Sequence, residues 1–351
     1  MQLSDLLERT CTVGGSDLHL AAGLPPRIRL HGELADVAGQ SPLRDAELRS
    51  ALRALVTADQ WASFEERHDL DFAHSHGRDR FRANYFEQAQ GAAAVFRRIP
   101  EKIATLEELT LPPAIERLTH VTSGLILVTG PTGSGKSTTL ASIVDRINET
   151  YEKHVVTIED PIEFVHRDKR CVFSQREVGQ DAPSFADALR SAMRQDADVI
   201  LVGELRDLET ISLALQAAEM GSLVLATLHT SGAAKTVDRI IDVFPGGEQP
   251  RIRLSLGDAL AAVVSQLLLP TADGKGRCAA TEILFRCQGL ANAIREGATP
   301  MIRNLIQSGH RAGMRSMDDS LLELLARKRI SFDEAMRKAT EKQRFENVRP
   351  S

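Results

Sequence analysis

The sequence predicts an α/β protein in two parts. A small α+β unit covers residues 1–99, a linker runs over 100–120, and a larger unit with a mainly parallel sheet fills 121–351 and turns helical from about 287. Two observations predict this. The first hundred residues hold short alternating runs of strand length separated by turn residues. From 121 onward, apolar runs of strand length alternate with helical patterns, the mark of a parallel sheet with helices on its faces. The 351 residues are 42% hydrophobic, enough for one large domain or two ordinary ones.

In the first unit, "SDLHLAAG" and "RIRLHGEL" read as two strands joined by a turn at Gly23, Leu24, Pro25 and Pro26. Residues 44–67 read as helical, with Leu48, Leu52, Leu55 and Val56 at helical spacing. "RFRANYF" and "GAAAVFRRIP" form a second strand pair. Phe81, Ala83 and Tyr85 share one face, and Arg80, Arg82 and Asn84 the other. Residues 99–120, with Pro100, Pro112 and Pro113, suit a linker and a short helix. Strands are expected at 125–129, 154–159, 198–203 and 222–229. Ser331 with Glu334 resembles a capping box, and the polar tail after about 341 is expected to fray.

Several function classes recede at this stage. A formal net charge of −5 gives no general attraction to nucleic acid. Cys11, Cys171, Cys278 and Cys287 form no C-x-x-C pair, so neither a zinc site nor a redox motif is expected, and reduced thiols of a cytosolic protein are the plain reading. No run of about 18 apolar residues and no signal peptide is visible, so direct membrane insertion is not expected.

The chemistry concentrates in "LILVTGPTGSGKSTTLASI". Gly130, Pro131, Thr132, Gly133, Ser134, Gly135, Lys136 and Ser137 fit G-x-x-x-x-G-K-[ST], and Thr138 follows. An apolar strand enters the loop. A helix leaves it, with Leu140, Ile143, Val144 and Ile147 on one face. Glycines let backbone N–H groups close around phosphate oxygens, and the helix N-terminus adds positive potential. ATP is the expected ligand. Lys136 is expected to reach the β- and γ-phosphates, and Ser137 to place its hydroxyl on Mg²⁺.

Phosphoryl transfer to water also needs a metal holder and a group that orients the water. "HVVTIEDPIEF" offers Glu159, Asp160 and Glu163, and "DVILVGELRD" offers Glu204 and Asp207, both at the ends of expected strands. Ligands gather at the carboxyl ends of parallel strands. Glu204 is assigned to Mg²⁺ through water, as a Walker B residue, and Glu163 to the attacking water. The two roles are exchangeable, and Glu159 is a third candidate. His229 ends another strand, where a neutral imidazole would donate to the γ-phosphate and report its loss. A lone histidine at a strand end is more often structural.

Taken together and in order, "GPTGSGKSTT", "TIEDPIEF", "QREVGQD", "SFADALRSAMRQDADVILVGELRDLET" and "TLHTSGAAKTVDRIIDVFP" resemble the secretion-superfamily ATPases of type II secretion and type IV pili. Within that family the chain is most similar to the pilus retraction branch. "SDLHLAAGLPPRIRLHGEL" and "FRANYFEQAQGAAAVFRRIP" extend the resemblance to nearly the whole length. It implies a PAS-like N-terminal domain, a RecA-like P-loop NTPase domain, a homohexamer, and a pilus platform protein of the inner membrane as partner, reached from the cytoplasmic face. It places Glu163 on the family's proposed catalytic glutamate, Glu204 on its Walker B glutamate and His229 on its conserved histidine. Arg82 and Arg97 match arginines that reach nucleotide phosphates from the N-terminal domain.

There are two departures. Ser222 stands where the family commonly has a second histidine, and "GLANAIRE" (289–296) stands in place of "AIRNLIRE". Extension and secretion relatives usually carry a longer N-terminal region and a four-cysteine zinc insertion, so retraction is the expected role. A nucleic-acid motor is disfavoured by net acidity and the lack of an aromatic–basic stripe. A non-hydrolysing regulatory subunit would lack one of the carboxylates, and this chain has them.

Overall fold

The computed structural model describes residues 2–30, 33–77, 79–99 and 102–346. By contacts the chain divides into two units. One comprises Met1–Lys102 with Pro161–Val165, and the other Ile103–Asp160 with His166–Ser351.

The first unit is built from α1 (Leu3–Thr12), β1 (Asp17–Ala21), β2 (Arg27–Leu30), β3 (Glu33–Asp36), α2 (Asp45–Arg53), α3 (Ala58–Arg67), β4 (Asp69–His76), β5 (Asp79–Gln88) and β6 (Gly91–Ile99). Its sheet runs β3-β2-β1-β6-β5-β4 with antiparallel neighbours. The expected pairs β1–β2 and β5–β6 form. Phe81, Ala83 and Tyr85 are fully buried, as the alternation requires. Tyr85 lies edge-on to Phe72 at 4.9 Å and donates its hydroxyl to the Leu52 carbonyl at 3.2 Å, tying β5 to the end of α2. His31 and Gly32 of "RIRLHGEL" and Pro100 of the linker lie outside the described residues.

The helix expected over 44–67 is two helices. Thr57 accepts from the Gln60 N–H at 3.2 Å while the Gln60 side chain accepts from the Thr57 N–H at 3.0 Å. This reciprocal box starts a new helix instead of extending the old one. The single strand expected over "RIRLHGEL" is instead two antiparallel strands, β2 and the start of β3. The segments α1 and β4 are additional, with Leu3, Leu6, Leu7 and Thr10 of α1 buried at helical spacing.

The second unit contains β7 (Gly124–Thr129), α4 (Lys136–Thr150), β8 (His154–Glu159), β9 (Val172–Glu177), α5 (Phe185–Ala192), β10 (Val199–Val202), α6 (Leu208–Glu219), β11 (Leu223–Leu228), α7 (Ala233–Asp242), α8 (Gln249–Ala259), β12 (Leu260–Pro270), β13 (Arg277–Phe285), α9 (Gln288–Arg295), α10 (Ile302–Ser308), α11 (Met317–Ala326), α12 (Phe332–Lys338) and α13 (Gln343–Glu346). The sheet order is β13-β12-β7-β11-β10-β8-β9, parallel except for β13. The strands β7, β10 and β11 are buried at every residue, which is why they read as unbroken apolar runs. Residues before β7 join this core through Leu106, Leu111, Ile115 and Leu118. The four expected strands are β7, β8, β10 and β11, while β9, β12 and β13 are additional.

At the C-terminal end, α11–α13 close a small separate core on β12 and β13 around Leu269, Leu321, Ile330 and Phe345. Phe345 is fully buried, so the fraying expected after 341 does not begin there. Residues 347–351 lie outside the described ones. Only half of the Ser331–Glu334 box forms. Ser331 accepts from the Glu334 N–H, but the Glu334 carboxylate pairs with Arg337 instead. All four cysteines are free. Among the described residues no helix is long and apolar enough to cross a membrane.

Candidate active site

The site is assembled where β7, β10 and β11 end side by side. The strand β7 delivers the chain to Gly130, and α4 begins at Lys136 with Gly135 as its N-cap and no side-chain cap on its first N–H groups. Those amides are therefore available to an anion. Gly130, Gly133 and Gly135 adopt φ of 146°, 77° and 88°, a region that disfavours any side chain. A Cβ on Gly130 would also collide with the Gln266 carbonyl oxygen. One on Gly135 would stand 2.8 Å from Gln266 Nε2. The loop is thus moulded against β12.

Inside this cradle Lys136 is buried and donates to the carbonyls of Gly130 (3.0 Å) and Pro131 (3.2 Å). The Ser134 hydroxyl is buried with no hydrogen-bond partner, a polar atom turned inward that a phosphate oxygen would satisfy. Pro131, Thr132 and Gly133 are exposed at the rim, and Ser137 and Thr138 are half-buried in the first turn of α4.

Three of the expected residues meet. Lys136 Nζ lies 3.5 Å from His229 Nδ1, and His229 Nε2 lies 3.1 Å from Glu204 Oε1. An ammonium can only donate, so Nδ1 accepts and the ring proton sits on Nε2, which donates to the carboxylate. The other oxygen of Glu204 accepts from Arg206 Nε at 2.8 Å. The result is a chain Lys136–His229–Glu204–Arg206 across the ends of β7, β11 and β10. Glu204 keeps a fifth of its side-chain surface open. One hydroxyl, Ser137, and one carboxylate suit Mg²⁺, which retains water and phosphate oxygens in such sites. Among the described residues no group of three His, Cys, Asp or Glu forms a protein-only metal cage.

Of the other expected residues, Glu159 ends β8 beside Gly203, Glu163, Arg82 and Arg97 belong to the first unit, and Asp207 has a local structural role. Glu163 lies on Pro161–Val165, which goes with the first unit. Arg82 and Arg97 are cross-strand neighbours on β5 and β6 of that unit. Arg97 donates to Asp17 at 2.8 Å, and Arg82 lies 3.5 Å from Asp71. Burial pushes the Asp17 carboxyl up, but hydrogen bonds from Arg97 and Ser16 outweigh it and hold it below its ordinary range. Asp207 is accounted for structurally, since it caps α6 by accepting from the Thr210 N–H at 2.8 Å. Ser222 donates to the Ala197 carbonyl at 3.0 Å. The "GLANAIRE" stretch lies on and just past α9, where Leu290, Ala293 and Ile294 are buried and Arg295 pairs with Asp258.

Two contributors escaped the sequence reading. Arg206 was visible, two residues from Glu204. Gln266 on β12 carried no motif, yet its side chain joins the loop to α4: Nε2 donates to the Ser134 carbonyl at 2.7 Å, and Oε1 accepts from Thr139 Oγ1 at 2.9 Å.

Comparison with known proteins places this geometry in context. The model of the family described as "Type II/IV secretion system protein" matches residues 27–347. The chain is 47% identical over 340 residues to the type IV pilus retraction ATPase PilT of Pseudomonas aeruginosa, covering 97% of this chain and 98% of that protein. It is 47% identical over 315 residues to a twitching motility protein of Neisseria gonorrhoeae, covering 90% and 84%. A crystal structure of the pilus retraction motor PilT with bound ADP superposes with a TM-score of 0.91 at 40% identity, covering 99% of both chains.

Proposed function

The chain belongs to the type II/IV secretion system protein family, and from that premise we propose that it is an ATP-hydrolysing motor that drives retraction of type IV pili. The observation that carries the reading is the cradle at residues 130–137, whose lysine touches His229, which in turn holds Glu204.

In this mechanism the loop amides, the Ser134 hydroxyl and Lys136 bind the polyphosphate of ATP. Ser137, and Glu204 through water, would hold Mg²⁺. Mg²⁺ held there would supply positive charge to offset what builds up on the phosphates during transfer. Glu163 orients the water whose oxygen attacks the γ-phosphorus as the bond to ADP breaks. Glu159 is the alternative for either carboxylate role. His229 reads the position of the Lys136 ammonium: moving that ammonium onto a γ-phosphate takes the donor from Nδ1 and alters the hold on Glu204. Arg82 and Arg97 neutralise charge from the N-terminal unit of the same chain or of a neighbouring copy.

By family analogy we read residues 1–99 as the PAS-like domain, 121–351 as the RecA-like domain and 100–120 as their linker, although by contacts Ile103 onward packs with the second unit and Pro161–Val165 with the first. Six copies form the working ring, peripheral to the cytoplasmic face of the inner membrane and docked on a pilus platform protein. Work requires that ATP and ADP stabilise different arrangements of the ring, because equal preference shifts nothing.

Phosphate release by the purified protein, beside Lys136→Ala and Glu204→Ala, tests the chemistry. Equal release by all three would reduce the chain to a scaffold. Cells lacking the protein are expected to carry surplus pili that do not shorten, and normal shortening would remove the retraction assignment while leaving the ATPase.

A further inference from the structure

We propose that Gln266 is the positioning residue of the phosphate loop, and that it acts by setting the direction of the Gly135 amide. This rests on reading residues 130–137 as the site of the polyphosphate.

A peptide unit is planar and trans, so the Ser134 C=O and the Gly135 N–H point in opposite directions. Gln266 Nε2 donates to that carbonyl at 2.7 Å from the β12 side. The Gly135 N–H is thereby turned away from β12, toward the cradle. The local hydrogen bonds on either side, Ser134 N–H to the Pro131 carbonyl at 3.2 Å and Thr139 N–H to the Gly135 carbonyl at 3.0 Å, leave the Ser134–Gly135 peptide itself to Gln266. Gly135 has no side chain, and Gly133, one residue before Ser134, has no atom within 4 Å of a Cβ position. The Ser134–Gly135 peptide turns about the Ser134 ψ and the Gly135 φ, and the glycine on its far side adds little steric resistance.

The carboxamide is itself held. Its Oε1 accepts from Thr139 Oγ1 at 2.9 Å, while the Thr139 N–H closes the first helical bond to the Gly135 carbonyl at 3.0 Å. A carbonyl can only accept, so the NH₂ end must face Ser134, and the amide has one satisfiable orientation. Gln266 is only 2% exposed, so water does not substitute for it. Its backbone carbonyl also occupies the space beside Gly130. One residue of β12 thus closes the cradle with its main chain and aims a donor with its side chain.

Two changes separate aim from shape. Gln266→Glu keeps the size and the acceptor for Thr139 but sets an oxygen against the Ser134 carbonyl. Gln266→Met keeps the bulk and removes both hydrogen bonds. Thr139→Val frees the carboxamide without touching it, and Thr139→Ser keeps the hydroxyl.

Affinity for a fluorescent ADP analogue, measured alongside thermal unfolding of the nucleotide-free protein, gives the readout. We expect Gln266→Glu to weaken ADP at least tenfold, with Gln266→Met and Thr139→Val weakened several-fold and Thr139→Ser recovering most of the Thr139→Val loss. The KM for ATP should rise more than kcat falls, because ground state and transition state both use the amide. Parent-like ADP affinity in Gln266→Met and Thr139→Val overturns the proposal. So does a loss that tracks the melting temperature alone or is not recovered by Thr139→Ser. If Gln266→Glu does not fold, the Thr139 pair decides. Lys136→Ala is the control. If it also binds ADP like the parent, the reading of the loop as the phosphate site falls; if it alone loses ADP, only the role of Gln266 falls.

Discussion

The two units handle charge in opposite ways. In the second, the charged side chains that matter sit at the ends of fully buried strands and are linked in series: Lys136, His229, Glu204 and Arg206. In the first, they lie across the face of an antiparallel sheet and are linked sideways, Arg29 and Arg97 flanking Asp17, and Arg82 beside Asp71. A parallel sheet buried on both faces has room for charge only at its ends, whereas a half-covered antiparallel sheet can carry charge along its strands. The end-of-strand charges are therefore gathered at one point where a ligand can meet them all, and the face charges are spread out and largely satisfy one another.

The sharpest way to break this contrast is Lys136→Ala. It should cut turnover by about 10²-fold or more, equivalent to about 2.7 kcal/mol of transition-state stabilisation, while leaving the fold intact. A comparable loss of unfolding free energy would make the strand-end cluster structural.

Next comes acid. His166 is buried in the second unit, stacked on Phe173 at 4.8 Å, and burial lowers its pKa to about 4. Between its unfolded value near 6.5 and that figure, only the unfolded chain takes up the proton. Stability therefore falls as pH drops through this window, by about 2 kcal/mol between pH 6.5 and 5. Denaturant titrations of the parent and of His166→Phe should show this slope flattened in the variant.

In the first unit, Asp17→Asn should cost about 1 kcal/mol, since the carboxylate is buried and accepts from Arg97 and Ser16. Its depressed pKa makes that contribution full above the unfolded value and lost as pH falls below about 4. The difference between parent and variant, followed by urea unfolding, should shrink on acidification through that range. The smallest effect belongs to Arg82→Ala. The Arg82–Asp71 pair is nearly half exposed on both sides, so stability should shift by no more than about 0.5 kcal/mol. A fall in ATP turnover with unchanged stability would assign Arg82 to the nucleotide and set it apart from its sheet neighbours.

Much of this was legible because local chemistry and global position agree. The phosphate loop needs glycine at positions where φ is positive, and the buried parallel strands need unbroken apolar runs, so both leave marks in sequence. The misses have physical causes. "LAAVVSQLLLP" carries no alternation, because β12 is buried on both sides, and it follows α8 without an intervening turn. The break between α2 and α3 was written as Thr57 and Gln60 but was masked by the apolar spacing across it. Gln266 leaves no trace, since its partners are a backbone carbonyl and a threonine more than 120 residues away. The capping role of Asp207 could have been read from the Thr210 three positions on.

One residue before Gln266, Ser265 accepts from the Gly232 N–H at 2.8 Å, while its cross-strand neighbour Glu282 accepts from Ala233 at 2.7 Å. The segment after His229 and the segment around Ser134 are thus moored to consecutive links of the same strand. Further along, that strand supplies Leu269 to the C-terminal helices. Adjacent residues of one strand support the phosphate loop on one side and the segment that follows His229 on the other, so both rest on the same length of backbone.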